Sequence, residues 1–252
     1  MSFSEIPSIT VTGSGSTKIP GFGAIKISGY GSLAPEEISI RGSSRIPGGL
    51  KVRDLKSSGS TNVDGDITVD SAIVSGSIHV QGDLRCEELY KSGSLKVSNN
   101  LIAKFAKVKG STKVRGKGLI EKMLDSRGSI TFGDYLVSNG NIRCSGSIRV
   151  EGRLESKSFE ARLGRDESRI RDGIKADRIE VRRDNNYMRN DVYLVTTDIV
   201  GIDIVLENVI CDNVEGNRVR ILRGCHVKEK IRFRDEVSLD PNSKLNSEPE
   251  KI

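Results

Sequence analysis

Over residues 140–154, glycines recur at 140, 146 and 152, and the apolar residues between them stand one apart, Ile142 with Cys144 and Ile148 with Val150. Apolar–polar–apolar is the period of a half-buried strand. A glycine with small polar neighbours bends the chain after about three strand residues. Strands this short form no hairpin sheet of ordinary dimensions. They make sense as the sides of a coil stacked on further coils. Three six-residue sides predict a coil of roughly 17–18 residues, hence an all-β solenoid of short, glycine-cornered strands.

The same rhythm divides the chain. Residues 59–181 are predicted as regular solenoid, with Val63-x-Gly65-x-Ile67-x-Val69, Val74-x-Gly76-x-Ile78-x-Val80 and Gly93-x-Leu95-x-Val97 following one pattern. Residues 1–58 read as irregular coils: the pairs Ile9/Val11, Ile25/Ile27 and Ile38/Ile40 alternate, but Pro7, Pro20, Pro35 and Pro47 interrupt them. Proline removes a ladder donor and belongs at edges and turns. Residues 118–127 break the pattern and suggest a helical turn or a bulging loop, and residues 182–190 a polar exposed loop. Alternation returns over 191–240, and the polar, proline-containing tail 241–252 is expected to be disordered.

Composition narrows the picture. Aromatics make up only 4% of the 252 residues and Trp is absent, too little for an ordinary globular core but enough for a thin column of Ile, Val and Leu. No apolar run approaches the length of a membrane span. The first residues lack a basic stretch followed by an apolar core, so the cytoplasm is the expected compartment. Cys86, Cys144, Cys211 and Cys225 form no paired motif and read as core thiols rather than zinc ligands. His79 lies between Ile78 and Val80 and so points outward, and His226 sits at a corner; neither has an evident catalytic partner. The acids Asp64/Asp66 and Glu87/Glu88 fall at corners, and no phosphate-binding loop is present. The expectation is a non-enzyme without cofactor or metal; a carbohydrate-active or acyltransferase solenoid is the third choice.

Charge suggests partners. The formal net charge is +6. Lys107 and Lys109 flank inward Val108, while Lys113 and Arg115 flank inward Val114, so all four face out as candidate contacts for an anionic surface. A second run comprises Arg218, Arg220, Arg223, Lys228, Lys230, Arg232 and Arg234. Peripheral contact with an anionic membrane is one reading of these clusters. The near absence of aromatics within them argues against single-stranded nucleic acid.

Repeats such as Ile25-Lys-Ile-Ser-Gly-Tyr-Gly-Ser, Ser75-Gly-Ser-Ile-His-Val and Ser92-Gly-Ser-Leu-Lys-Val resemble those of the bactofilin family, in its longer branch of polymer-forming cytoskeletal proteins. The segments from Asp203 to Val209, Val214 to Cys225 and Val237 to Pro241 resemble that branch's end. The resemblance implies a right-handed, triangular β-helix that polymerises end to end without nucleotide. It further implies a scaffold for cell-shape, division or motility machinery, often at the inner membrane face, with itself and other cytoskeletal or envelope proteins as partners. Independently, a solenoid's terminal coil carries unpaired backbone groups that recruit more strand. Phe3 and Ile6 at one end, and Phe233, Val237 and Leu239 at the other, are the candidate end-face residues. The competing reading is a monomeric adaptor that binds anionic partners along its sides.

Overall fold

The computed structural model describes residues 8–34, 36–164, 166–184 and 192–252. The chain divides into two compact units, Met1–Ile120 and Glu121–Ile252. All regular structure among the described residues is β, and its parallel coils are those of a β-solenoid.

The first unit contains β1 (Ile9–Ile19), β2 (Gly23–Ala34), β3 (Glu37–Pro47), β4 (Leu50–Asp64), β5 (Ile67–Val80), β6 (Leu84–Val97) and β7 (Leu101–Val114). From β3 to β7 the successive strands, each much of a coil, pair in parallel with one another. Leu55 lies opposite Ala72, Ala72 opposite Leu89 and Leu89 opposite Ala106, the same 17-residue step that separates Asp66 from Asp83. Every coil turns three pairs of residues inward; in β5 they are Ile67/Val69, Ala72/Val74 and Ile78/Val80, all buried. Parallel strands covered on their inner face bury this column without large aromatics.

Two corners explain why the step stays constant. At the first, Gly42, Gly59, Gly76, Gly93 and Gly110 stack in register. Gly93 has φ +115°, and a Cβ there would meet the Gly76 carbonyl oxygen at 2.2 Å. Only glycine combines that left-handed backbone with so close an approach. At the second corner, side chains carry the hydrogen-bond ladder where the strands bend. Asp83 N donates to Asp66 Oδ1 (2.7 Å), Asn100 N to Asp83 Oδ1 (3.0 Å) and Lys117 N to Asn100 Oδ1 (3.0 Å).

The N-terminal segment differs from expectation. β1 pairs antiparallel with β2, and β2 antiparallel with β3, so 9–34 form a meander rather than irregular coils. The reason is the turn length. Pro20-Gly-Phe is too short to carry the chain round a coil, and Phe22 N closes the turn on Ile19 O at 3.1 Å.

The second unit contains β8 (Gly118–Phe132) from Glu121 onward, then β9 (Leu136–Ser138), β10 (Asn141–Val150), β11 (Leu154–Leu163), β12 (Ser168–Ile170), β13 (Ile174–Arg183), β14 (Leu194–Val195), β15 (Asp198–Leu206), β16 (Val209–Ile221), β17 (His226–Leu239), β18 (Lys244–Leu245) and β19 (Glu250–Lys251). Its coils are parallel but uneven. The step from Leu124 to its partner Ile142 is close to that of the first unit, the step from Ile174 to Ile199 is much longer, and the step from Ile199 to Val214 is shorter.

Residues 118–127 are neither a helical turn nor a loop but the first part of β8, with Ile120, Leu124 and Ser126 inward. One extra residue at the corner shifts the apolar rhythm and makes the segment look broken. The predicted loop at 182–190 begins within β13 at Arg182 and Arg183, and 185–190 lie outside the described residues. The tail predicted as disordered instead folds back on β17. Lys244 N donates to Cys225 O (2.8 Å) and Ile252 N to Phe233 O (2.9 Å). A turn whose Asp240 accepts from Asn242 N at 2.8 Å redirects the chain to make those pairings.

Candidate interaction surfaces

The solenoid brings together residues about one coil apart, which sorts the two basic runs into opposite situations. In the C-terminal run most cations meet an acid on a neighbouring coil. Arg218 grips both carboxylate oxygens of Asp203, Arg223 Nε binds Glu207 Oε1 (2.9 Å), Lys228 Nζ binds Asp212 Oδ1 (3.0 Å), and Arg232 lies near Glu215 and Glu250. Across the sheet Arg178, Asp203, Arg218 and Glu236 alternate in sign. Hydrogen bonding from the Arg218 guanidinium holds the Asp203 carboxyl below its usual range. Four of the seven cations in this run are thus ion-paired, which partly neutralises it.

The run in β7 is bare. Residues 89–120 hold eight Lys or Arg and no acid. Lys107, Lys109, Lys113 and Arg115 are all exposed, and none is ion-paired among the described residues. In β6 the residues opposite them are Tyr90 at Lys107, Ser92 at Lys109 and Lys96 at Lys113. The predicted four therefore lie on one coil, two around each of two adjacent sides, and gain Lys96 as a fifth cation. His79 lies in register with Lys96 and its Nε2 is 3.3 Å from Ser98 Oγ. Its pKa is lowered, first by burial and then by the positive field of Lys96 and Arg115.

Sequence reasoning missed the aromatic neighbour. Tyr90 is 45% exposed, and Ile73, opposite it on the preceding coil, is 48% exposed. Phe105 is half-buried and lies just before Lys107 on the same strand. Along the chain Tyr90 is remote from the Lys107–Arg115 group; the signal that finds it is the constant coil-to-coil step.

Of the candidate end-face residues, Phe3 and Ile6 lie outside the described residues. Phe233 and Val237 are half-buried and Leu239 is 37% exposed, all on β17. They do not form one face. Phe233 is paired on its outer side with Lys251 of β19, while residues 236–239 pair with β16 alone among the described strands. β1 likewise has a single described partner, β2.

Inside the solenoid, all four cysteines are buried thiols, and burial pushes Cys86, Cys144 and Cys211 up to about 12 and Cys225 to about 11. The acids Asp64 and Asp66 serve structural bonds: Asp64 receives Arg45 and Gln81, and Asp66 caps Asp83 N. Glu87 and Glu88 are exposed on β6. His226 is half-buried opposite Ile210. Among the described residues no three His, Cys, Asp or Glu are arranged to hold a metal ion, and no helix is long and apolar enough to cross a membrane. One buried cation went unnoticed in the sequence. Lys91 occupies the inward slot that Val74 and Val108 fill in adjacent coils, and its Nζ donates to Ser111 O (2.5 Å) and Thr112 Oγ1 (3.2 Å).

The geometry defines a β-solenoid with the charged and aromatic surfaces described above. Compared with known proteins, the chain matches no family model, no curated protein and no solved structure.

Proposed function

We propose that the chain is a structural subunit, a bactofilin-like scaffold that assembles through its strand edges without nucleotide in a reducing compartment such as the cytoplasm. The observation that supports this most is the backbone edge at residues 236–239, which has β16 alone as partner among the described residues and is bordered by half-buried Val237 and exposed Leu239. Such an edge is a template for further strand pairing. Four unpaired buried thiols agree with the compartment. Electron microscopy of the purified protein over a range of concentrations tests the reading. Filaments or sheets that form without nucleotide, and that Leu239→Glu or Val237→Glu abolishes while circular dichroism is unchanged, are expected. Short single particles at every concentration would refute it.

A second reading is a platform for anionic partners, and the unpaired cations of β7 favour it. It does not require assembly.

A further inference from the structure

We propose that the basic coil of β7, together with Tyr90, binds single-stranded nucleic acid through its phosphodiester backbone; this inference rests on the platform reading. Three features on the surface support it. First, Lys96, Lys107, Lys109, Lys113 and Arg115 face outward, and no carboxylate pairs with any of them among the described residues. Backbone phosphates meet unneutralised charge there, in contrast to the ion-paired C-terminal run.

Second, the cations bend round the coil. Lys107 and Lys109 accompany the inward pair Ala106/Val108, whereas Lys113 and Arg115 flank Val114 of the next pair, beyond the Gly110 corner. A planar bilayer meets one of these sides at a time. A flexible strand follows both. Along each side the cations are two residues apart, about 7 Å at the rise of an extended strand, comparable with the reach of one extended nucleotide.

Third, the aromatic group that single-strand binding calls for is supplied by the neighbouring coil. Tyr90 lies opposite Lys107 and is 45% exposed, with exposed Ile73 opposite it on the other side. A base stacks on an exposed ring without any demand on sequence, while lysines hold the flanking phosphates. The hydroxyls of Ser92, Ser94 and Ser111, exposed around the same corner, add donors for phosphate oxygens.

The test uses the full chain and a fluorescently labelled oligothymidine of about fifteen nucleotides, followed by anisotropy at several salt concentrations. With five cations engaged, log K against log salt is expected to fall with a slope of about −3.5. Lys107→Gln with Lys109→Gln is expected to reduce the magnitude of that slope by about 1.4. Tyr90→Ser is expected to weaken binding roughly tenfold and leave the slope alone, because stacking carries no counterions. Lys228→Gln, which removes a cation already paired with Asp212, is the control expected to change nothing. Circular dichroism of each variant checks the fold.

Parallel sedimentation with vesicles containing about one-third phosphatidylserine, and binding of polyglutamate, separate the two levels of the argument. Oligonucleotide binding with the stated variant effects supports the proposal. Binding of vesicles or polyglutamate but not oligonucleotide leaves the platform reading standing and overturns the nucleic-acid assignment. No binding to any of the three at low salt overturns both. A slope unaffected by the double lysine variant overturns the assignment of the site to β7.

Discussion

Replacing Lys91 with methionine removes a charge from the solenoid interior while keeping the length of the side chain. In the native protein Lys91 is 3% exposed, and its hydrogen-bond partners among the described residues are neutral, Ser111 O and Thr112 Oγ1. Desolvation lowers its pKa from 10.5 to about 8. At about 1.4 kcal/mol per pKa unit, the charged form is disfavoured by roughly 3 kcal/mol in the folded chain. Two corrections reduce that figure. Nζ reaches toward the exposed corner at Ser111, where solvent screens it, and the variant leaves the buried Thr112 hydroxyl without its donor, a loss of about 1 kcal/mol. The net expectation is that Lys91→Met stabilises the fold by about 1–2 kcal/mol at pH 7.

The pH dependence gives the sharper readout. Below pH 8 Lys91 is protonated in both folded and unfolded chains, so the full burden of the charge is present. Between about 8 and 10.5 the unfolded chain holds a proton that the folded chain has released, and native stability rises with pH. The cysteines act in the opposite direction. Their thiols stay protonated when folded and ionise from about pH 9 when unfolded, which lowers stability above that pH. These thiols are common to both proteins, so the difference between native and variant isolates the lysine. Urea unfolding followed by far-ultraviolet circular dichroism, from pH 6.5 to 9.5, measures that difference. Solenoids can unfold in segments, so the transition containing β6 is the one to compare. The variant's advantage should be constant below pH 8 and shrink above it. A constant advantage at all pH values, or a variant less stable at pH 7, would refute the account of Lys91 as an uncompensated buried charge. Lys91→Arg, which cannot shed its proton, should lack the native chain's gain in stability above pH 8.

Three further outcomes are expected. Gly93→Ala should lower stability by about 2–3 kcal/mol or more, against about 1 kcal/mol for Gly21→Ala, which has a positive φ but no atom within 4 Å of the new Cβ; equal losses in thermal melts would show that coil stacking is not what constrains Gly93. Arg218→Met should raise the Asp203 pKa toward its ordinary 3.8, visible in a carboxyl NMR titration. Because that carboxylate is depressed in the folded chain, its small contribution is present above about pH 4 and is lost as pH falls through its folded value; an unmoved titration would contradict the Arg218 grip. Finally, none of the four thiols should react with a maleimide in the native protein at pH 8, and all should react in denaturant; rapid native labelling would place one outside the interior.

The coil was legible because its repeat is written in residue types with one conformational role each. Glycine at the Gly59–Gly110 corner and inward pairs such as Ile78/Val80 give both the strand period and the length of the coil. Strand direction was not legible in the same way. Ile25 and Ile27 alternate like any solenoid side, and alternation is identical in parallel and antiparallel sheets. Only the short turn at Pro20 decides that β1 and β2 reverse. At 118–127 a single inserted residue moved the inward set to Leu124 and Ser126, enough to hide a strand whose pairing with β10 is otherwise regular. The tail escaped notice because β18 and β19 are two residues each, below the length at which any period can be read.

Lys91 and the two basic runs share one cause of misreading. Residues that touch in this fold stand about a coil apart, so a cluster along the chain is not a cluster in space. Arg218 and its neighbours look strongly basic until Asp203, Glu207 and Asp212, each about one coil back, are placed directly against them. Lys107 and Lys109 look comparable, yet the coil before them contributes Tyr90 and Ser92, and Lys113 meets Lys96 instead of an acid. Folding the sequence at one coil length also exposes Lys91 as the lysine in a column otherwise occupied by Ser57, Val74 and Val108. Whether a charge on this chain is spent internally or left for a partner is therefore decided by the residue one coil away. By that criterion β7 carries a basic surface that, among the described residues, intramolecular ion pairing leaves available.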